Sequence, residues 1–159
     1  MKDLSNFTAA ERLESLKAGA VAAFGMFWGF GAIAIVNSLI LARRWDFLAG
    51  LQVRAIDLNF AFKGSIALLA GFLFGVTYRY AIRRDTNPQL KSGVVLAFGL
   101  VRAFGQLDAG LLFEAGKMPA LQELLPFVVR SVESVLLFAI AGFVLDWAIG
   151  RSWIKPFDS

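Results

Sequence analysis

The sequence predicts an all-α integral membrane protein: a four-transmembrane-helix bundle with short interfacial helices, built as one membrane domain over residues 1–159. Three observations carry that expectation. Hydrophobic residues make up 58% of the 159 residues, and mean hydropathy is +0.65, above the apolar share usual for soluble domains. The apolar residues fall in four long runs, each near the ~20 residues needed to cross a ~30 Å hydrocarbon core. The composition, with 16 phenylalanines and 15 glycines, is typical of helices packed in lipid.

The chain opens with a mixed-charge segment. Thr8 and Glu11 have the spacing of a capping box, and Leu13 and Leu16 alternate with Arg12, Glu14 and Lys17. This pattern predicts an interfacial helix over 8–17. The first span, 18–42, is uncharged and stops at the basic and aromatic anchor Arg43-Arg44-Trp45. It is too long for the apolar core of a cleavable signal, so it is expected to remain as a span. Residues 45 to 60 are mixed again and read as a second interfacial segment.

The second span, 61–80, has Lys63 placed to snorkel at its start and Tyr78 and Tyr80 at its end. The stretch 84–91, with Asp85, Asn87 and Pro88, reads as a turn. The third span is 92–113 and the fourth 124–150, with Pro126 in its first turn, where a missing N–H does no harm. With four spans, both termini and the 79–91 loop share one side. That side holds most of the lysines and arginines, including Arg79, Arg83, Arg84 and Lys91. The positive-inside rule therefore places both termini on the cytoplasmic or stromal side.

Two spans carry GxxxG pairs, Gly25/Gly29 and Gly71/Gly75, which allow close helix approach. A weak internal repeat is also present. AFGMFWGFG at 23–31 matches AFGLVRAFG at 97–105, and AGF recurs at 70–72 and 141–143. Both matches join spans of the same direction, as a duplicated helical hairpin would.

The third and fourth spans carry charges within their apolar runs. On insertion scales an Arg or Asp at a helix centre costs roughly 2.5–3.5 kcal/mol, so the third helix should need a partner. A hairpin folding near position 118 or 119 sets Asp108 level with Val129 and Arg102 level with Val135. This predicts two ion pairs, Asp108–Arg130 and Arg102–Glu133, merging into one neutral cluster. The cluster would either brace the hairpin or form a pathway for ions or protons. Asp146 is placed to pair with Arg79 or to stand solvated at the interface.

Other chemistries are excluded or unsupported. The sequence has no cysteine and no histidine, which removes disulfides, thiolate nucleophiles, Ser–His triads and the usual zinc sites. Ser65, Ser92, Ser131 and Ser134 thus lack a histidine base, no catalytic constellation remains, and no metal site is expected. No nucleotide loop follows a strand. The net charge of +4 is explained by topology signals and by contact with anionic membrane lipids, without nucleic acid. No cofactor is indicated, although bound lipid, chlorophyll or carotenoid is compatible with the sequence; helix packing accounts for the aromatics around Trp28 without a pigment or quinone, and a chlorophyll would be ligated by water, Asn37, Gln106 or a carboxylate.

The stretch YRYAIRRDTNPQLKSGVVLAFGLVRAFGQLD, residues 78–108, resembles a segment of small multispan membrane proteins of cyanobacteria and plastids. The resemblance implies a thylakoid or cyanobacterial inner-membrane setting and association with photosynthetic complexes. The expected function is a non-enzymatic accessory subunit or assembly factor that binds a larger membrane complex, using the basic loop Arg79, Arg83, Arg84 and Lys91 as its exposed handle. The alternative expectation is a small ion or solute transporter using Arg102, Asp108, Arg130 and Glu133.

Overall fold

The computed structural model describes residues 9–53, 55–111 and 121–157. Among these the chain is all-helical, and four helices are long and apolar enough to cross a membrane. We number them α1 (Ala9–Val36), α2 (Leu58–Ile82), α3 (Pro88–Leu111) and α4 (Leu121–Gly150).

α1 does not stop at Val36. It runs through a π-helical turn, Asn37–Leu41, into Ala42–Arg44, making one helical rod of 36 residues. At 1.5 Å per residue this is ~54 Å long, well beyond the hydrocarbon thickness. The expected interfacial helix at 8–17 is therefore corrected: residues 9–17 are the first turns of α1 itself. No glycine or proline interrupts them, and Ser15 and Ala18 are buried in the bundle, so packing holds these turns in line with the span. Thr8, the expected cap, lies outside the described residues.

Trp45 is extended and ends the rod. A 3-10 helix, Asp46–Leu51, then turns Leu48 and Leu51 inward against α4. The Val53 N–H donates to the Ser38 hydroxyl at 3.1 Å, tying this segment to the π turn. Asp57 caps α2, accepting from the Phe60 N–H at 2.9 Å. The turn after α2 is shorter than expected, because Asn87 caps α3 through the Gln89 N–H and Pro88 takes its first position. α4 starts at Leu121, so Pro126 sits in its second turn rather than its first.

α1 packs on α2 and α4, and α3 packs on α4, while α1 and α3 do not touch. Glycine sets the approach of α1 to α2. A Cβ on Gly75 would run into the Ala18 carbonyl oxygen and lie 2.7 Å from the Ala22 Cβ, and one on Gly71 would lie 2.8 Å from the Met26 Cβ. Gly25 and Gly29 seat α1 on α4, against Ala141, Val144, Leu137 and Ile140. Where three helices meet, Phe74 contacts Phe98 and Phe138 edge-on, with centroids 5.4 and 5.2 Å apart.

Gly71 faces α1 and Gly142 faces Val95 of α3. Gly99 faces Val135 of its own hairpin partner, whereas Gly25 faces α4 instead of α2.

Candidate functional site

Polar side chains converge in two regions, one at the bundle end that holds the C-terminal tail and one inside the apolar layer. At the bundle end, Arg79 is 2% exposed. Its Nε donates to the Lys155 carbonyl at 2.9 Å and its Nη1 to the Ser15 hydroxyl at 2.8 Å. Ser15 is also 2.9 Å from the Tyr80 hydroxyl. The tail returns over this end: Ile154 is buried, the Lys155 N–H donates to Glu14 at 2.8 Å, and Phe157 packs edge-on against Tyr80. The Lys17 ammonium, together with the Lys155 N–H, holds the Glu14 carboxyl below the ordinary carboxylate value. Glu14 lies outside the apolar run of α1, where such a shift acts in a wet environment.

Arg79 is therefore removed from the expected exposed handle, because the tail and α1 consume its donors. Arg83 lies under Phe157, and Arg84 is exposed at the turn. The Lys91 ammonium pairs with Asp146 at 2.9 Å, and Tyr78 donates to the other carboxylate oxygen at 3.0 Å. The expected Asp146–Arg79 pair is thus replaced by Asp146–Lys91. Lys91 and Asp146 are level for a hairpin folding between 118 and 119, so the register deduced for α3 and α4 describes this contact.

Inside the apolar layer the same register holds, but neither Asp108–Arg130 nor Arg102–Glu133 forms an ion pair. The polar link between α3 and α4 is instead neutral: the Gln106 amide donates to Ser134 at 3.1 Å. The reason is rotation about the helix axis. Each residue turns ~100° around an α-helix, so Asp108, two positions after Gln106, stands ~200° away and is exposed. Glu133, beside Ser134, is turned towards α1. There it lines, with Asn37, the groove between α1 and α4. Depth was matched correctly, and azimuth was not.

Three buried polar atoms are left without a hydrogen-bond partner among the described residues: Arg102 Nε, Glu133 Oε1 and Asn37 Oδ1. Asn37 and Glu133 both line a groove of about 390 Å³ between α1 and α4. Sequence reasoning gave Asn37 only a passing role, although an Asn-Ser pair within AIAIVNSLILA was a visible signal. Ser15, Ser134 and Lys155 were invisible, because their roles depend on contacts from distant parts of the chain.

The aromatics around Trp28 point outward. Phe24, Phe27 and Trp28 are each more than half exposed, so helix packing within the chain does not cover them. Among the described residues no three acidic side chains gather as a metal site would require. Comparison with known protein families, curated proteins and solved structures gives no match.

Proposed function

We propose that this chain is a non-enzymatic membrane accessory subunit or assembly factor, and that it binds another membrane protein through the outward face of α3. The observation that carries this reading is the exposure of α3. It packs mainly on α4, and only 11% of its apolar window is buried, against 33% for that of α4. Its outward stripe runs Gly93, Ala97, Val101, Gly105 at four-residue spacing. A Cβ on Gly93 or Gly105 would meet nothing within 4 Å. Small residues at this spacing let two helices approach closely in lipid, where packing drives association. Asp108, exposed close to the same stripe, adds a polar group that a partner helix would shield.

The setting we propose is a thylakoid or cyanobacterial inner membrane, with both termini on the cytoplasmic or stromal side. The resemblance of residues 78–108 and the basic residues on that side support it. A transporter is the weaker reading. Its support is the buried Glu133, but apart from Asn37 and Glu133 the groove beside it is lined by apolar residues and glycine, a poor path for ions.

Extraction in a mild digitonin-type detergent, followed by mass spectrometry of the native species, tests the accessory role. Co-migration with a larger complex is expected, and Gly105→Leu should abolish it without changing the melting temperature. A small homogeneous species with no partner in native extracts would overturn the reading.

A further inference from the structure

The groove between α1 and α4 has an apolar surface, with two polar side chains, Asn37 and Glu133, set in its wall and incompletely bonded among the described residues. Its volume, about 390 Å³, falls within the range of roughly 300–1,000 Å³ of small-molecule sites. Its walls are mainly aliphatic, among them Ile33, Val36, Val132, Leu136 and Ile140. Two polar residues, Asn37 and Glu133, interrupt them. Asn37 is 6% exposed, yet among the described residues its Oδ1 has no partner, and neither does Glu133 Oε1. A buried polar atom left unpaired costs about 1–3 kcal/mol, and more where no water reaches it.

The backbone at this point is unusual in a matching way. Asn37 opens the π-helical turn Asn37–Leu41, a conformation that recurs at functional sites. Ser38, the next residue, is held by the Val53 N–H from the following segment. The turn is thus fixed from outside while Asn37 is directed into the groove.

We infer that this groove binds a lipid-soluble alcohol, its hydroxyl between Asn37 and Glu133 and its apolar body along the aliphatic walls. The chemistry of the two free atoms selects the head group. Asn37 Oδ1 can only accept, so a ligand that satisfies it must donate. Glu133 Oε1 accepts when the group is ionised and can donate when it is protonated. A hydroxyl that accepts from a protonated Glu133 and donates to Asn37 satisfies both atoms at once. A ketone, ether or ester lacks the hydrogen that Asn37 needs. The apolar walls exclude a sugar or a free ion.

The test uses purified full-length protein in nanodiscs and a photoreactive diazirine analogue of dodecanol. Cross-links are expected within 29–41 and 128–140. Unlabelled dodecanol should compete at least about tenfold better than dodecyl methyl ether or dodecane, the difference made by one buried donor hydrogen bond in a dry site. Asn37→Leu should reduce alcohol labelling to the level of a matched alkane probe. Val132→Trp, at the half-exposed rim of the groove, should remove labelling by both probes. Equal competition by alcohol, ether and alkane on the wild-type chain would overturn the proposal, leaving a groove that accepts any acyl chain. Labelling confined to other helices would overturn it as well. The competition series needs no variant, so failure of Asn37→Leu to fold leaves it decisive.

Discussion

The Arg79 guanidinium donates to the main-chain carbonyl of Lys155, 76 positions later in the chain, at 2.9 Å. With Ser15 as its second acceptor, Arg79 joins the start of α1, the end of α2 and the C-terminal tail at one buried point. Arg79→Ala should leave those acceptors unpaired and cost about 2–4 kcal/mol, since hydrogen bonds to charged groups contribute roughly 1.5–3 kcal/mol each. Arg79→Lys should fall between, keeping the charge but losing the fork. Thermal melting in detergent and protease cleavage of the tail would measure both.

The tail should also loosen in acid. Hydrogen bonds from Lys17 and the Lys155 N–H hold the Glu14 carboxyl below its ordinary value of 4.5. A depressed carboxylate contributes stability that is fully present above the unfolded value and is lost as pH falls through the folded one. Hydrogen exchange at the Lys155 amide should therefore be pH-insensitive in its protection from neutrality down to about pH 5 and lose protection below the ordinary carboxylate range. Glu14→Gln should remove that acid-dependent step.

Gly75 and Gly105 should respond in opposite ways to the same substitution. Gly75→Ala places a methyl against the Ala18 carbonyl and the Ala22 Cβ, forcing α1 and α2 apart at about 1–3 kcal/mol. Gly105→Ala adds a methyl where nothing lies within 4 Å and should be neutral or slightly stabilising. Melting curves of the two variants in one detergent would show the contrast.

Arg102 separates a brace from a bystander. Were it paired with Glu133, Arg102→Leu would strand a charge and cost roughly 3–5 kcal/mol. Its Nε has no partner among the described residues, so Arg102→Leu should leave stability unchanged or raise it. By contrast, the Gln106–Ser134 hydrogen bond should show a coupling of about 0.6 kcal/mol in a double-mutant cycle, the mean for such links in a membrane bundle. Unfolding in mixed micelles would give both values.

Much of the architecture was legible because hydropathy records depth. Long apolar runs announced four helices able to cross a membrane, and the fold point near 118 is the register in which Lys91 meets Asp146, although the sequence offered Arg79 as the partner of Asp146. The close-approach glycines were equally visible, since Gly71 and Gly75 have no other use in a regular helix. The local caps at Asp57 and Asn87 were available too, although the second was read as part of a longer turn.

Rotation about each helix axis was a different matter. In water, an apolar stripe on a polar helix reveals which face is buried. In lipid both faces are apolar, so the sequence of α3 or α4 says how deep a residue lies but not which neighbour it meets. Depth by itself paired Arg102 with Glu133; packing turned Glu133 towards Asn37 and left Gln106 to meet Ser134. The tail contact was hidden for a related reason, because nothing local marks Lys155 as an acceptor for Arg79. The chain's own pattern determines its four long apolar helices and the hairpin register. Close packing at the glycine seats decides the azimuths, and with them which polar groups are paired and which are left facing the groove.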